Sequence, residues 1–175
     1  KDDLYRNYHD NEWGKPVYDD ETIFEFLILE TFQAGLSWYT VLAKRENFRK
    51  AFDNFDLIKS ANYSEDKMAK LAEDTGIIRN KLKIKATVTN AQAFLKVQEE
   101  FGTFSKYIWG FVDGKPIDNL PKTLNEVKAT TPISDALSKD LKKRGFKFVG
   151  STVMYAHMQA TGMVNDHVMD CWTRK

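Results

Sequence analysis

Residues 71–95 read LAEDTGIIRNKLKIKATVTNAQAFL, and their pattern decides the fold. Gly76 is a typical helix stop, because glycine adopts without strain the left-handed conformation that often follows a helix. From Asn80 onward, apolar side chains recur at the spacing of one helix face. These side chains are Ile84, Val88, Ala91 and Leu95. The stretch therefore predicts a helix, a turn at Gly76 and a second, longer helix.

The same periodicity continues on both sides of this stretch. The predicted helices begin near Asp19, Ser37, Ser64, Thr103, Ser134 and Val149, with a further short one around Phe48 and Phe52. The segment from Asp113 to Pro132 holds three of the four prolines and is typical of a surface excursion. The opening before Asp19 is aromatic and irregular, and no stretch predicts paired strands. The predicted fold class is therefore all-α, a compact bundle of short helices.

Length and composition set broad limits. A chain of 175 residues fits a single domain, 1–175, whose core needs neither metal nor disulfide. The longest apolar run is far shorter than a membrane-spanning helix, so no membrane partner is expected. Cys171 is the only cysteine, which favours a reducing compartment and hence the cytoplasm. Because the chain begins at Lys1 rather than Met, residues upstream are expected to be missing.

Glu30 is the first candidate functional residue. It closes an apolar helix and meets the unfavourable end of the helix dipole, so its position calls for a reason. Aromatic side chains that can stack on a flat base occur at Tyr8, Trp13 and Trp38. The plainer alternatives are a solvent-exposed glutamate, which residue statistics favour, and aromatic side chains that only fill the core.

The turn between the two helices of residues 71–95 is a candidate phosphate site. Backbone N–H groups at a tight turn that enters a helix suit a phosphate, and Arg79, Lys81 and Lys83 add positive charge. An ordinary helical hairpin on a solvated face is the alternative, because many turns combine glycine with lysine.

Three residues can bind a metal ion. His167 and Cys171 are four residues apart, and His9 lies near the other end of the chain. Zinc binds imidazole and thiolate readily, but a structural zinc site normally has four protein ligands. The sequence alone supplies only these three candidate ligands. His157 lies among apolar residues of the last helix and is interpreted as a core histidine.

Five sequence motifs, read together, indicate a family. They are YHDNEWG (8–14), QAGLSW (33–38), GIIR (76–79), LKKRGFKFVG (141–150) and VNDHV (164–168). In this order, and over essentially the whole chain, they resemble the 3-methyladenine DNA glycosylase I family of constitutive bacterial enzymes. The resemblance implies an all-α fold that contains a helix-hairpin-helix DNA-binding element. It also implies base-excision repair, in which the enzyme hydrolyses the N-glycosidic bond of 3-methyladenine flipped out of double-stranded DNA.

The resemblance assigns roles residue by residue. It makes Glu30 the catalytic, base-contacting carboxylate, and Tyr8, Trp13 and Trp38 walls of the base pocket. The residues assigned to DNA are Gly35 and Leu36, where the base leaves the stack, and Gly76, Arg79, Asn80 and Lys81, which contact phosphate. The residues assigned to a zinc ion that joins the two ends of the chain are His9, His167 and Cys171. The fourth family ligand is a cysteine upstream of Lys1, so zinc binding by this chain is expected to be weak or incomplete.

The expected chemistry is selection of a reactive base. The superfamily's usual catalytic aspartate has no match, because residues 81–93 contain no acidic side chain. A monofunctional glycosylase without lyase activity is therefore expected, acting as a monomer and releasing free 3-methyladenine. Whether Glu30 activates water is left open by the sequence. Two alternatives also stay open: a non-catalytic sensor of alkylated bases, and a zinc-stapled scaffold that binds a protein partner.

Overall fold

The computed structural model describes residues 3–174, and its architecture confirms the all-α prediction. Within these residues the α-helices are α1 Asp3–Asn11, α2 Asp20–Gln33, α3 Trp38–Ala43, α4 Arg45–Ala51, α5 Leu57–Ala61, α6 Glu65–Leu71, α7 Lys81–Phe101, α8 Phe104–Trp109, α9 Pro132–Lys143 and α10 Ser151–Ala160. Short 3-10 turns lie at Asp53–Phe55, Gly110–Val112, Leu124–Glu126 and Trp172–Arg174. None of the described helices is both long enough and apolar enough to cross a membrane.

Several local predictions were wrong. The opening segment is helical, since α1 occupies Asp3–Asn11. Helix α9 begins at Pro132 with Thr131 as its cap, and Ser134 instead closes the capping box at the third helical position. Two-residue strands, β1 Ile117–Asp118 and β2 Val164–Asn165, form a parallel pair. Strands this short carry no readable alternation, which is why the sequence pattern missed them.

Helix α2 lies at the centre of the bundle. Asp19 caps it, accepting a hydrogen bond of 2.9 Å from the N–H of Thr22. From Ile23 to Phe32 every residue except Glu25 is buried, and the helix packs against α3, α7, α8 and α10. A helix that is apolar on nearly all sides belongs in a core. The polar side chains of Glu30 and Thr31 near its C-terminal end are therefore buried too.

The turn between α6 and α7 differs in detail from its prediction. Helix α6 ends at Leu71, before Gly76, and Gly76 has no left-handed backbone. Its need for glycine is spatial, because a Cβ there would meet Asp74 Oδ1 at 3.1 Å and Asn47 Cβ at 3.3 Å. Asp74 Oδ1 accepts the Gly76 N–H at 2.8 Å, and Asn80 caps α7. The result is a compact helix–turn–helix with its own internal hydrogen bonds.

The segment that follows α1 crosses the end of α10. A Cβ on Gly162 would come within 2.4 Å of the Lys15 carbonyl carbon, so only glycine allows this approach. The N–H of Val17 donates to the Thr161 carbonyl at 2.9 Å across the same crossing. The first and last parts of the described chain are thereby held side by side.

Candidate active site

A cavity of about 490 Å³ opens between α1, the C-terminal end of α2, α10 and the segment after β2. The residues that line it are Tyr5, Tyr8, His9, Trp13, Glu30, Gln33, Trp38, Leu124, Val127, Ala156, Gln159, Ala160, Asp166, His167, Val168 and Cys171. The structure thus brings Tyr8, Trp13, Glu30 and Trp38, which lie far apart in the sequence, around one cavity. The size suits a small planar ligand.

Glu30 is buried in the floor of this cavity. Only 2% of the residue is exposed, so the interpretation as a solvated glutamate was wrong. Its Oε2 lies 2.7 Å from Nδ1 of His157, whereas its Oε1 has no hydrogen-bond partner among the described residues. Burial raises the pKa of the Glu30 carboxyl, and the nearby His157 opposes that rise. A carboxylate oxygen with no partner can accept a hydrogen bond from a ligand.

His157 is the functional residue that the sequence interpretation missed. It is fully buried on α10, as expected of a core histidine, but it also holds Glu30 across the bundle. The available signal was its imidazole within the apolar sequence of α10, because a buried polar side chain needs a partner. The sequence could not name that partner.

Aromatic rings form the sides of the cavity. Tyr8 lies 5.3 Å from Trp38 between ring centroids, and Trp13 contacts the ring of His167 edge-on at 4.7 Å. Burial, and then the nearby Glu30 carboxylate, raise the pKa of Tyr8, which therefore keeps its phenolic proton. The indole N–H of Trp38 is buried without a partner among residues 3–174. The residues that line the cavity thus include one buried donor and one buried acceptor without partners among the described residues.

Asp166 anchors the far side of the cavity, a role the sequence analysis did not assign. It is buried and accepts hydrogen bonds from Tyr155 Oη at 2.6 Å, Asn119 Nδ2 at 2.7 Å and Gln159 Nε2 at 2.9 Å. Since a carboxylate only accepts, these bonds fix the orientation of the Gln159 amide. The predicted surface excursion also contributes, through Leu124 and Val127.

The turn after α2 projects from the cavity rim. Gly35 has φ +81°, and a Cβ there would meet nothing within 4 Å, so glycine is needed for its backbone conformation. Leu36 follows and is 43% exposed. Because Gln33 and Trp38 on either side line the cavity, Leu36 stands at its mouth.

The predicted phosphate residues separate into two groups. Arg79, Asn80 and Lys81 are exposed at the start of α7, as the prediction requires. Lys83 is not available to a phosphate, because it is buried with its amine on the carbonyls of Phe32 and Ala34. Residues two apart on a helix point about 200° apart, so Lys81 and Lys83 face opposite sides.

His9, His167 and Cys171 converge, with candidate ligand atoms all within 4.8 Å of one another. Cys171 Sγ lies 3.9 Å from His9 Nε2 and 3.5 Å from His167 Nδ1. The other ring nitrogens are engaged: His9 Nδ1 lies 2.8 Å from Asp10 Oδ1, and His167 Nε2 lies 2.9 Å from the Trp13 carbonyl. Such contacts orient histidines that bind metals.

The comparisons with known proteins agree with this geometry. A model of the methyladenine glycosylase family matches residues 1–175. The chain belongs to this family. The resemblance seen in the five motifs is thereby confirmed.

Relatives in the methyladenine glycosylase family match nearly the whole chain. DNA-3-methyladenine glycosylase 1 of Escherichia coli (strain K12) is 50% identical over 171 residues, which are 98% of this chain and 91% of that protein. DNA-3-methyladenine glycosylase of Haemophilus influenzae is 48% identical over 168 residues, which are 96% of this chain and 91% of that protein. A crystal structure of a variant 3-methyladenine DNA glycosylase I in complex with 3-methyladenine superposes with a TM-score of 0.97 at 36% identity, covering 100% of this chain and 94% of that one.

Proposed function

We propose that this protein is a DNA-3-methyladenine glycosylase of base-excision repair, which hydrolyses the N-glycosidic bond of 3-methyladenine flipped out of duplex DNA. The observation that carries the proposal is the buried Glu30 carboxylate, whose Oε1 is unpartnered in an aromatic cavity. The names of the relatives, and the complex of one of them with 3-methyladenine, support it. The unpartnered Glu30 carboxylate in this cavity also favours an enzyme over a non-catalytic sensor of alkylated bases.

The cavity chemistry matches the damaged nucleotide. Methylation at N3 gives adenine a positive charge, which a neutral nucleotide lacks, and the negative charge of Glu30 attracts it in a site of low dielectric. Oε1 accepts a hydrogen bond from the exocyclic amine of adenine, a donor that guanine replaces with a carbonyl. Tyr8 and Trp38 stack on the base. We therefore expect release of 3-methyladenine and essentially none of 7-methylguanine.

Hydrolysis then needs little assistance. Water adds to C1′ of the sugar, the C1′–N9 bond breaks with its electron pair going to the base, and the water loses a proton. The base leaves neutral because the methyl group had already made it cationic. Glu30 contributes by holding the extruded nucleotide while the sugar gains positive charge. Among the described residues that line the cavity there is no lysine that could form the imine of a lyase reaction.

His157 has a positioning role in this scheme. Its hydrogen bond of 2.7 Å to Oε2 fixes the carboxylate plane and leaves Oε1 towards the base. With no exposure of His157, water cannot replace that bond. The pair therefore keeps a costly buried carboxylate in one orientation.

The DNA interface combines two surfaces. We assign helices α6 and α7 with their turn to the helix-hairpin-helix element, in which Gly76, Arg79, Asn80 and Lys81 contact phosphate. Leu36, at the cavity mouth, enters the space that the extruded base leaves in the stack. We propose that the enzyme acts on DNA as a monomer.

The triad of His9, His167 and Cys171 fits zinc. Two imidazoles and a thiolate are ligand types that zinc prefers, although the set is one ligand short of a usual structural site, and the second nitrogen of each imidazole is already engaged. A zinc ion would supply a structural link between α1 and the segment after β2 and would take no part in hydrolysis. A ligand thiolate must stay reduced, which supports a cytoplasmic location.

The deciding experiment is incubation with methylated duplex DNA, followed by chromatography of the released bases. Release of 3-methyladenine by the wild-type chain, and loss of that release in Glu30→Gln, is the expected outcome. Binding to the DNA without release would indicate a sensor of alkylated bases. Failure to bind DNA even at low salt would indicate the protein-interaction scaffold.

A further inference from the structure

Lys83 is a buried cation that the proposed chemistry does not use. Only 6% of it is exposed, although its neighbours Lys81 and Leu82 are exposed. Its Nζ donates to the carbonyl of Phe32 at 2.9 Å and to that of Ala34 at 2.5 Å. Within residues 3–174 no carboxylate forms an ion pair with it. Burying a lysine without a carboxylate is costly, so its position calls for a function.

The two carbonyls that hold Lys83 belong to the C-terminal end of α2. The last carbonyls of a helix have no partner within the helix, and a cation there is favoured by the helix dipole. Ala34 is the C-cap residue of α2, and Gly35 and Leu36 follow it directly. Lys83 is therefore hydrogen-bonded to the residues from which the turn with Leu36 begins.

The other end of Lys83 belongs to the hairpin. Its backbone N–H donates to Asn80 Oδ1 at 3.1 Å, the bond that caps α7. One residue thus contacts both the helix start that presents Arg79 and Lys81 and the turn that presents Leu36. In sequence, Lys83 is 51 residues from Phe32 and 49 residues from Ala34. Its ammonium group therefore links two distant segments of the chain directly.

From this bridge we infer that Lys83 is a positioning residue for base extrusion: it holds the Leu36 turn at a fixed place relative to the phosphate-binding hairpin. When the hairpin binds the DNA backbone, Leu36 is then positioned to enter the base stack at the site of the extruded nucleotide. The inference rests on the proposed glycosylase function. It assigns Lys83 no contact with the base, so recognition of the free base is independent of it.

The test compares Lys83→Met with Lys96→Met. Methionine keeps an apolar stem and removes the ammonium, and Lys96 is an exposed lysine about 20 Å further along the same helix. Single-turnover release of 3-methyladenine from methylated duplex should slow roughly ten- to a hundredfold in Lys83→Met, the range for removing charge-assisted hydrogen bonds. Lys96→Met should stay within about twofold of wild type, as expected of an exposed charge.

Two further measurements separate positioning from simple support of the fold. Affinity for free 3-methyladenine, followed by tryptophan fluorescence, should be unchanged in Lys83→Met. In a double-mutant cycle, Lys83→Met should add little to the defect of Leu36→Ala, because both act through the same side chain. Wild-type rates on duplex, additive defects, or an equal loss of free-base affinity would each overturn the inference.

Folding of the variant is checked by circular dichroism. If Lys83→Met does not fold, Lys83→Gln decides, because it keeps an N–H donor but removes the charge and shortens the reach to both carbonyls. Slower release from duplex with unchanged free-base affinity supports the inference, and a wild-type rate contradicts it. A wild-type chain that releases no 3-methyladenine at all would instead contradict the proposed function.

Discussion

The cavity around Glu30 and the hairpin from Gly76 to Lys81 differ in how their polar groups are satisfied. In the cavity, Glu30 Oε1 and Trp38 Nε1 are buried and unpartnered among the described residues. In the hairpin, the Gly76 N–H donates to Asp74, Asn80 caps α7, and the side chain of Lys81 is in water.

That difference explains a division of labour. A buried polar atom without a partner costs free energy until a ligand of matching pattern arrives, so the cavity discriminates between bases. Exposed cations exchange water and counterions for phosphate whatever the sequence, so the role proposed for the hairpin is to add affinity without discrimination. Substitutions in one region should therefore leave the property that belongs to the other region unchanged.

The largest expected effect is on the cavity. Glu30→Gln should lower the rate of 3-methyladenine release roughly 100- to 1000-fold, because it removes the negative charge that complements the cationic nucleotide. Affinity for undamaged duplex should stay within about twofold, as the phosphate-binding residues lie elsewhere. Glu21→Gln, which removes an exposed charge from the same helix, is the matched control. Equal loss of duplex affinity and rate in Glu30→Gln would show that the two regions are not separate.

A smaller effect is expected at the hairpin. Replacing Arg79 and Lys81 together by alanine should weaken binding to any duplex about tenfold and lower the log–log salt slope by about 0.9 for each phosphate that is no longer neutralised. Free 3-methyladenine should bind as before. Titrations at several salt concentrations measure the slope, with exposed Lys96 and Lys115 as the control pair. An unchanged slope would remove the hairpin from the DNA interface.

The cost of the buried carboxylate should appear in stability. Because burial raises the folded-state pKa of Glu30 above its ordinary value of 4.5, the folded chain binds this proton more readily than the unfolded chain does. Glu30 therefore lowers the free energy of unfolding progressively as the pH rises from about 4.5 through its raised pKa. Above the raised pKa, the full cost of the buried carboxylate is present.

Glu30→Gln should consequently melt a few degrees higher than wild type at pH 8, with the gap closing towards pH 5. Thermal melts of both proteins across that range provide the measurement. A variant that melts lower than wild type at every pH would mean that the carboxylate stabilises the fold.

The smallest effect concerns the metal triad. Because α1 and the segment after β2 already pack together, removing zinc with a chelator should lower the melting temperature by only a few degrees. Glycosylase activity should largely survive, reduced only as far as Tyr8 moves with its neighbour His9. The Cys171→Ser variant should show no further change with chelator. Elemental analysis checks the starting zinc content, and unfolding on chelation would contradict the prediction.

The sequence predicted what depends on local pattern. Helices α2 and α7 followed from their apolar spacing, and the hairpin from Gly76 and the basic residues near it. Glu30 was harder, since glutamate is mostly exposed and only the surroundings of α2 reveal its burial. Its assignment to the base came from the family resemblance.

What the sequence could not predict are contacts between distant residues. His157 and Glu30 are separated by 127 positions, and nothing local indicates that they meet. Lys83 was predicted to lie at the phosphate site together with Arg79 and Lys81, because the sequence does not distinguish a buried lysine from an exposed one nearby. The direction in which each points depends on the helix phase and on α2 packing behind it.

The crossing of Gly162 over Lys15 has a consequence for biosynthesis. Tyr8 leaves the ribosome long before Gln159 and Asp166, which lie on the opposite side of the cavity. Until Gln159 and Asp166 are made, Tyr8 can pack against Trp38, but the opposite side of the cavity is absent. A nascent or prematurely terminated chain would therefore carry the Glu30 helix and the hairpin without a finished base site, and we expect it to bind DNA through the proposed phosphate contacts without excising a base.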